Sequence, residues 1–243
     1  MKPILRALRH ALPVLALLAG PLTAADVRLD GLILPFREVV VSSPVQSTLT
    51  ALPLKEGDTV KAGETLAQLY SRIEELEMLR TKAALEKKEF DNRGAANLYA
   101  DNIISEDEAL KNKIELDLAR LQFQQAEELF RQRTVLAPIS GLIVERNREI
   151  GETVTASQPL FRIVDISRLY VQFYVRAEDA GSLSVGQTLD IRCPVADPDR
   201  SFSGKVDFID PRVDAASGLL RVKILLDNPE AALKPGLRAV IEF

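Results

Sequence analysis

Residues 44–69 read PVQSTLTALPLKEGDTVKAGETLAQL, and residues 138–163 read PISGLIVERNREIGETVTASQPLFRI. The two segments align without a gap at an offset of 94 positions: Pro44 with Pro138, Gly57 with Gly151, Asp58 with Glu152, Thr59 with Thr153, Val60 with Val154, Ala62 with Ala156, Leu66 with Leu160. The matches fall where backbone geometry is demanding. Gly57 and Gly151 each open a tight turn that favours a positive φ, and the valine that follows is poised to return to a core. Short β-type alternation precedes each turn, and an apolar pair three residues apart follows it, Leu66 with Leu69 and Leu160 with Ile163. Each copy alone would expose an apolar face. The two must therefore pack on one another, which predicts a small β-sandwich with pseudo-twofold symmetry.

Between the copies, residues 71–133 contain no proline and one glycine, and are rich in Glu, Lys, Leu, Ala, Gln and Arg, a composition that favours helix. Ser71-Arg-Ile-Glu74 and Ser105-Glu-Asp-Glu108 both have the spacing of a capping box, so two helices are expected. In the second, Leu110, Ile114, Leu118, Leu121 and Leu129 form an apolar stripe beside Leu116, Phe123 and Phe130; in the first, Ile73, Leu76, Leu79, Ala83 and Phe90 play the same part. Narrow stripes amid charge suit an antiparallel two-helix hairpin in which these residues form the seam. Gly94 would serve as a helix end with Arg93 in its last turn. Equal arms instead require the first helix to continue to about Tyr99, giving arms of roughly 28 residues and about 42 Å with a tip at 100–104.

From Val164 onward, short alternating segments separated by Gly, Pro and Asp turns predict a small antiparallel barrel, with Lys234-Pro-Gly236 as the turn into its last strand and 27–41 lending a strand from before the first copy. At the N-terminus, Lys2, Arg6 and Arg9 precede the apolar run ALPVLALLAG and the small-residue stretch PLTAA, the order of a secretory signal cleaved near Ala25. No cysteine stands directly after that site, so a lipoprotein is not expected. Loss of the signal removes three positive charges and no acid, taking the formal net charge from −4 to −7, which argues against nucleic acid as a partner. The only histidine, His10, goes with the signal, leaving Cys193 and Met78 as the sole mature sulfur residues. Imidazole and sulfur metal sites cannot be assembled from that set, and neither a metal nor a cofactor is expected. Cys193 reads as a half-buried strand residue. There is no Ser/His or Cys/His pair and no phosphate-binding loop, and Asp207, Asp210 and Asp214 have the spacing of strand and turn residues, so no enzyme activity is expected.

The doubled pattern, with EGDTVKAGETLAQL as its clearest line, resembles the biotinyl/lipoyl carrier fold as it occurs in periplasmic adaptor subunits, the membrane fusion proteins of the HlyD type. The segments GKVDFIDPRVD and LDNPEAALKPGLRAVIEF are similar to the β-barrel of adaptors serving RND-type efflux pumps. The resemblance implies a mainly β chain: a split lipoyl/biotinyl-like β-sandwich interrupted by an antiparallel coiled-coil hairpin, followed by a small antiparallel β-barrel. The boundaries expected are 1–25 signal peptide, 26–41 a strand joining the barrel, 42–70 first lipoyl half, 71–134 hairpin, 135–164 second half and 165–243 barrel, and no membrane-proximal domain is expected. In a carrier the halves are joined by a hairpin bearing a modified lysine. Here that hairpin is replaced by 71–134, and Lys82 is a helix-face lysine.

The resemblance further implies a periplasmic adaptor that contacts an inner-membrane RND-type transporter and an outer-membrane channel of the TolC type, and that self-associates into a hexameric ring. The adaptor of an ABC exporter or type I secretion system is an alternative within transport, and a carboxyl-carrier module of a biotin or lipoate enzyme is one of another class. At the hairpin tip Arg93, Leu98, Asn102, Ile104 and Ser105 resemble the channel-docking positions of the family, with Arg93 one residue farther from Leu98 than the pattern expects. Ser105 is accounted for by capping as well.

Overall fold

A computed structural model describes residues 28–242; the signal segment, its cleavage near Ala25 and His10 lie outside the described residues. Strands β1 (Arg28–Ser42), β2 (Ser47–Ala51), β3 (Thr59–Val60) and β4 (Thr65–Leu69) lead into helices α1 (Arg72–Ala100) and α2 (Glu106–Arg131). Strands β5 (Thr134–Leu136), β6 (Gly141–Arg146), β7 (Thr153–Val154) and β8 (Pro159–Arg176) follow the helices. The chain ends in β9 (Thr188–Cys193), β10 (Asp197–Ile209), β11 (Leu219–Asp227) and β12 (Arg238–Glu242).

The sequence repeat is a structural one, and its halves interlock. Thr59 of β3 pairs with Leu142 of β6, while its counterpart Thr153 of β7 pairs with Thr48 of β2. The Gly57 N–H donates to the Ile143 carbonyl at 2.9 Å, and the Gly151 N–H donates to the Leu49 carbonyl at 2.9 Å. Thr65 pairs with Leu136 as Pro159 pairs with Ser42. In each of these pairings both members shift by the same 94 positions on passing from one half to the other. Gly57 and Gly151 have φ of 90° and 91°, the left-handed conformation that costs glycine nothing sterically. Because every turn strand is bonded to the other half, neither half has a complete sheet of its own. Between the sheets lies one core containing Leu49, Val60, Leu66, Ile143, Val154 and Phe161, with each turn valine matched by its counterpart.

Strands β1, β12, β9, β10, β11 and β8 follow one another around a closed six-stranded barrel, the ring being completed where β8 pairs with β1. Closure leaves no free edge. A Cβ at Gly204 would come within 2.5 Å of Ile224, and one at Gly31 within 2.8 Å of Ile241; the barrel interior is filled to its backbone at these points. The buried Asn228 side chain donates to the carbonyls of Ile166 and Leu233 and accepts from the Leu233 N–H, seating Leu233 in the second core. Cys193 is fully buried rather than half-buried, and that burial pushes its thiol pKa up.

Strands β1 and β8 belong to both units. Arg28 to Pro35 pair within the barrel, Arg37 to Ser42 pair within the sandwich, and the register shifts between Pro35 and Arg37. The bulged residue, Phe36, has the Arg168 guanidinium 3.7 Å from its ring centroid. The expected strand over 26–41 thus divides its pairing at Phe36, and the barrel strand that follows it runs on from the second sandwich half without a break.

Candidate functional site: the helical hairpin and its tip

The hairpin grows from two neighbouring strands. β4 pairs with β5, and the Leu69 N–H donates to the Arg133 carbonyl at 2.8 Å, so the helices stand where a tight turn would otherwise join the two halves. At their root Arg133 bonds Glu74 at 2.6 Å, and both side chains are largely buried. α1 continues through Gly94 to Ala100. At about 1.5 Å per residue the arms are roughly 40 Å long.

The seam differs from the expected one. Residues at least half-buried in α1 include Glu74, Met78, Thr81, Leu85, Lys88, Asn92 and Ala95, and in α2 Ala109, Asn112, Leu116, Ala119, Phe123, Ala126 and Phe130. Both series alternate steps of three and four, the seven-residue repeat of a coiled coil. Leu110, Ile114, Leu118, Leu121 and Leu129 are all exposed, as are Ile73, Leu76, Leu79 and Phe90. The expected stripes are therefore on the outside, and the stripe through Leu116, Phe123 and Phe130, completed by alanines, is the seam. The physical reason is size: alanine at three of these seven seam positions of α2, Ala109, Ala119 and Ala126, lets the helices approach. Lys88 donates to Glu115 across the seam at 2.5 Å. That bond holds the Lys88 ammonium above its ordinary range and the Glu115 carboxyl below its own.

The two capping boxes also fare differently. The Ser105 hydroxyl accepts from the Glu108 N–H at 3.2 Å, whereas Ser71 makes no side-chain cap bond. At Ser71 the carbonyl accepts the first intrahelical bond, from the Glu75 N–H, and the preceding Tyr70 N–H donates to the Thr48 carbonyl.

At the tip, α1 ends with Asn102 at φ 56°, the Asn102 N–H donating to the Tyr99 carbonyl and the Ile103 N–H to the Leu98 carbonyl. This is the paired-bond terminus in which a left-handed residue, usually Gly but sometimes Asn, stops a helix. The turn brings Leu98, Asn102, Ile104 and Ser105 together. Arg93 stands apart, because five residues turn an α-helix by about 140° and place it away from Leu98 around the helix. The same turn exposes Tyr99 and Ile103, which the sequence reading did not single out. The signal for Ile103 was available: an apolar residue directly after the asparagine that stops the helix.

The three barrel aspartates are engaged locally. Arg212, through its side chain and then its backbone, lowers the pKa of Asp210 to about 2. Asp214 accepts from Ser217, and Asp207 accepts from the Tyr170 hydroxyl at 3.2 Å. Among the described residues no group of three or more His, Cys, Asp or Glu is placed to hold a metal ion.

A sandwich split by a helical hairpin and continued by a six-stranded barrel defines a class of barrel-sandwich hybrid proteins, and comparison with known proteins gives the family. Residues 37–165 match the CzcB-like barrel-sandwich hybrid domain, and residues 168–243 match the CusB-like beta-barrel domain. The chain belongs to the membrane fusion protein family, whose members are adaptors rather than enzymes. It is 30% identical over 229 residues to the nodulation protein NolF of Rhizobium meliloti, covering 88% of this chain and 62% of that protein. It is 23% identical to the cobalt-zinc-cadmium resistance protein CzcB of Cupriavidus metallidurans over 79% of this chain and 39% of the relative. The chain spans about 40 to 60% of the length of these relatives. Among solved structures, a MacA–MexA chimera carrying the Pseudomonas aeruginosa MexA alpha-hairpin domain has the same fold, with a TM-score of 0.78 and 21% identity over 89% of this chain and 80% of the other. The membrane fusion protein Spr0693 of Streptococcus pneumoniae R6 also shares the fold, with a TM-score of 0.72, 22% identity, and coverage of 88% of this chain and 98% of the other.

Proposed function

We propose that this chain is the periplasmic adaptor of a tripartite RND-type efflux system, joining an inner-membrane transporter to an outer-membrane channel. The observation that carries the reading is the place of the hairpin. A rigid, two-sheet clamp holds both ends of an arm about 40 Å long at adjacent strands, and the arm ends in a small turn that presents Leu98, Tyr99 and Ile103 to solvent. Such a part reaches and docks. It has the geometry of a spacer between two partners, and the family to which it belongs supports that role. Relatives bear names of efflux and resistance: the cation efflux system protein CzcB of an Alcaligenes strain and the multidrug resistance protein MdtA of Proteus mirabilis. On this reading the signal segment delivers the chain to the periplasm and is removed near Ala25, the barrel and sandwich face the transporter, the tip meets a TolC-type channel, and several copies form a ring.

Site-specific photocrosslinking in cells, with the probe at Leu98 or Asn102, tests the reading. Capture of an outer-membrane channel is the expected result. If tip probes trap only copies of the chain while a barrel probe still captures an inner-membrane protein, the docking role is lost and a pump-bound subunit without a channel becomes the better account.

A further inference from the structure

The two exits of the sandwich are built unequally. β4 beside β5 corresponds, at the offset of 94, to β8 beside β1: Leu69 and Arg133 stand where Ile163 and Val39 stand in the other half. Toward the barrel the paired strands run on, Val164 with Glu38 and Asp165 with Arg37, so a backbone ladder carries its direction across that junction. Toward the hairpin the ladder between the two exit strands stops at the Leu69–Arg133 bond. Tyr70 is still tied to β2, its N–H donating to the Thr48 carbonyl and its own carbonyl accepting from the Ser47 hydroxyl. Past Ser71 the chain is helix, whose backbone bonds to itself.

One side chain spans the gap this leaves. From the foot of α2, the Arg133 Nη2 donates to Glu74 Oε1 in the first turn of α1 at 2.6 Å, and its Nη1 donates to the Gln46 carbonyl, on the loop into β2, at 3.3 Å. Among the described residues, the bond to Glu74 is the only side-chain hydrogen bond or ion pair that ties either helix to the chain outside α1, α2 and the turn joining them. Glu74 is the acid of the capping box that does not close at Ser71; its carboxylate is turned to Arg133 instead. The two side chains are only 18% and 19% exposed. A planar guanidinium that gives one Nη to each partner fixes their relative position more closely than a point charge does.

Length magnifies whatever happens at this root. Over an arm of about 40 Å, a swing of about 10° moves the tip by about 7 Å, more than the roughly 5.4 Å pitch of a helix. The direction of the arm therefore decides which turn of a partner the tip meets.

We propose that Arg133 is the positioning residue of the hairpin: bound to Glu74 and to the Gln46 carbonyl, it latches α1 to the sandwich and fixes the direction in which the arm points. It meets no partner itself and acts by holding Leu98 and its neighbours at the tip in place. The latch is a property of the single chain, and its consequence for docking rests on the adaptor reading above.

The purified chain would carry one spin label at Asp107→Cys, in the first turn of α2, and a second at either Val144→Cys or Thr50→Cys, one on each sheet of the sandwich; all three positions are exposed. The native Cys193 is buried and stays unlabelled, since reactive thiols need exposure. Pulsed electron–electron distance measurements then read the spread of tip positions, and the parent should give a narrow distribution from both sites. Removing both charges together, Glu74→Leu with Arg133→Met, leaves no orphaned buried ion. That pair should keep the parent's melting temperature while widening both distributions by several ångströms, the scale of the swing above. If it melts well below the parent, Glu74→Gln takes its place with the same expectation. Arg133→Lys keeps a charge for Glu74 and should recover most of the narrowness. Distributions without the latch as narrow as the parent's would overturn the proposal, because the strands alone would then aim the arm. So would Arg133→Lys as broad as the neutral pair, because packing and not the ion pair would be the cause. A parent with a narrow distribution whose tip captures no channel would instead remove the adaptor reading and leave the latch standing.

Discussion

The sandwich and the hairpin are built by opposite rules. In the sandwich the large apolar residues are inside, and the turns that aim them are fixed by two glycines at φ near 90°. In the hairpin many of the large apolar residues are outside, while alanine, threonine and asparagine take much of the seam. The first arrangement is complete within one chain. The second leaves apolar surface to spare, as an element does when part of its stability is to come from association.

The largest effect that can challenge this contrast is in the sandwich core. Phe161 lies on β8, is fully buried, and pairs with Val41 across the sheet. Phe161→Ala should cost about 3–5 kcal/mol, the usual range for emptying a buried aromatic site. Domains have only about 5–15 kcal/mol in hand, so the midpoint of urea unfolding should fall steeply. A cost below about 1 kcal/mol would mean that the two halves are not locked through this core.

The next effect sharpens the hairpin side. Ala126 is 4% exposed and faces α1, so Ala126→Phe should overpack the seam and cost about 1–3 kcal/mol. Leu118 is 55% exposed, and Leu118→Ala should change stability by no more than about 0.5 kcal/mol. Thermal melts followed by helical circular dichroism would compare the two. The reverse ranking would restore the leucine stripe as the seam.

The unequal legibility of the two regions has a physical cause. Gly57, Gly151 and the valines after them could be read from sequence because a tight turn admits few residues and the repeat states the requirement twice. The equal-arm argument carried α1 past Gly94, and the helix does run to Ala100, because geometry rather than propensity decided it. The seam was misread because hydrophobicity was taken as a proxy for burial. In a two-stranded ribbon the close face is set by what lets helices approach, and the repeat Ala119, Ala126 with Phe123 and Phe130 was present in the sequence but less conspicuous than the leucines. Ser71 was misassigned because the spacing of a capping box does not fix the backbone: Ser105 has the extended conformation of a cap, with ψ 158°, whereas Ser71 has ψ 6° and makes no side-chain cap bond. At the tip, Leu98, Asn102, Ile104 and Ser105 stand at the turn between the two helices, whereas Arg93 is set apart from Leu98 by the helical angle.

The smallest effect separates the two regions by pH. The sandwich core is apolar, whereas the hairpin seam holds the Lys88–Glu115 bond. Glu115 has its carboxyl pKa lowered from an ordinary 4.5, so the stability it contributes is present above that value and is lost as pH falls through the lowered one. Lys88 has its pKa raised from 10.5, so its contribution is present below that value and is lost as pH rises through the raised one. Both groups are about one-third exposed, and the effect should be small. Hydrogen exchange comparing pH 7 with pH 4 and below, corrected for the intrinsic pH dependence of exchange, should show protection falling along Lys88–Ala100 and Glu106–Glu115 while β6 and β8 hold theirs. In Glu115→Gln that acid-induced loss should be absent, because the seam there no longer titrates. Equal loss in the sandwich and the hairpin, or an unchanged response in Glu115→Gln, would mean that the acid sensitivity comes from elsewhere and that the polar seam is as firmly held as the apolar core.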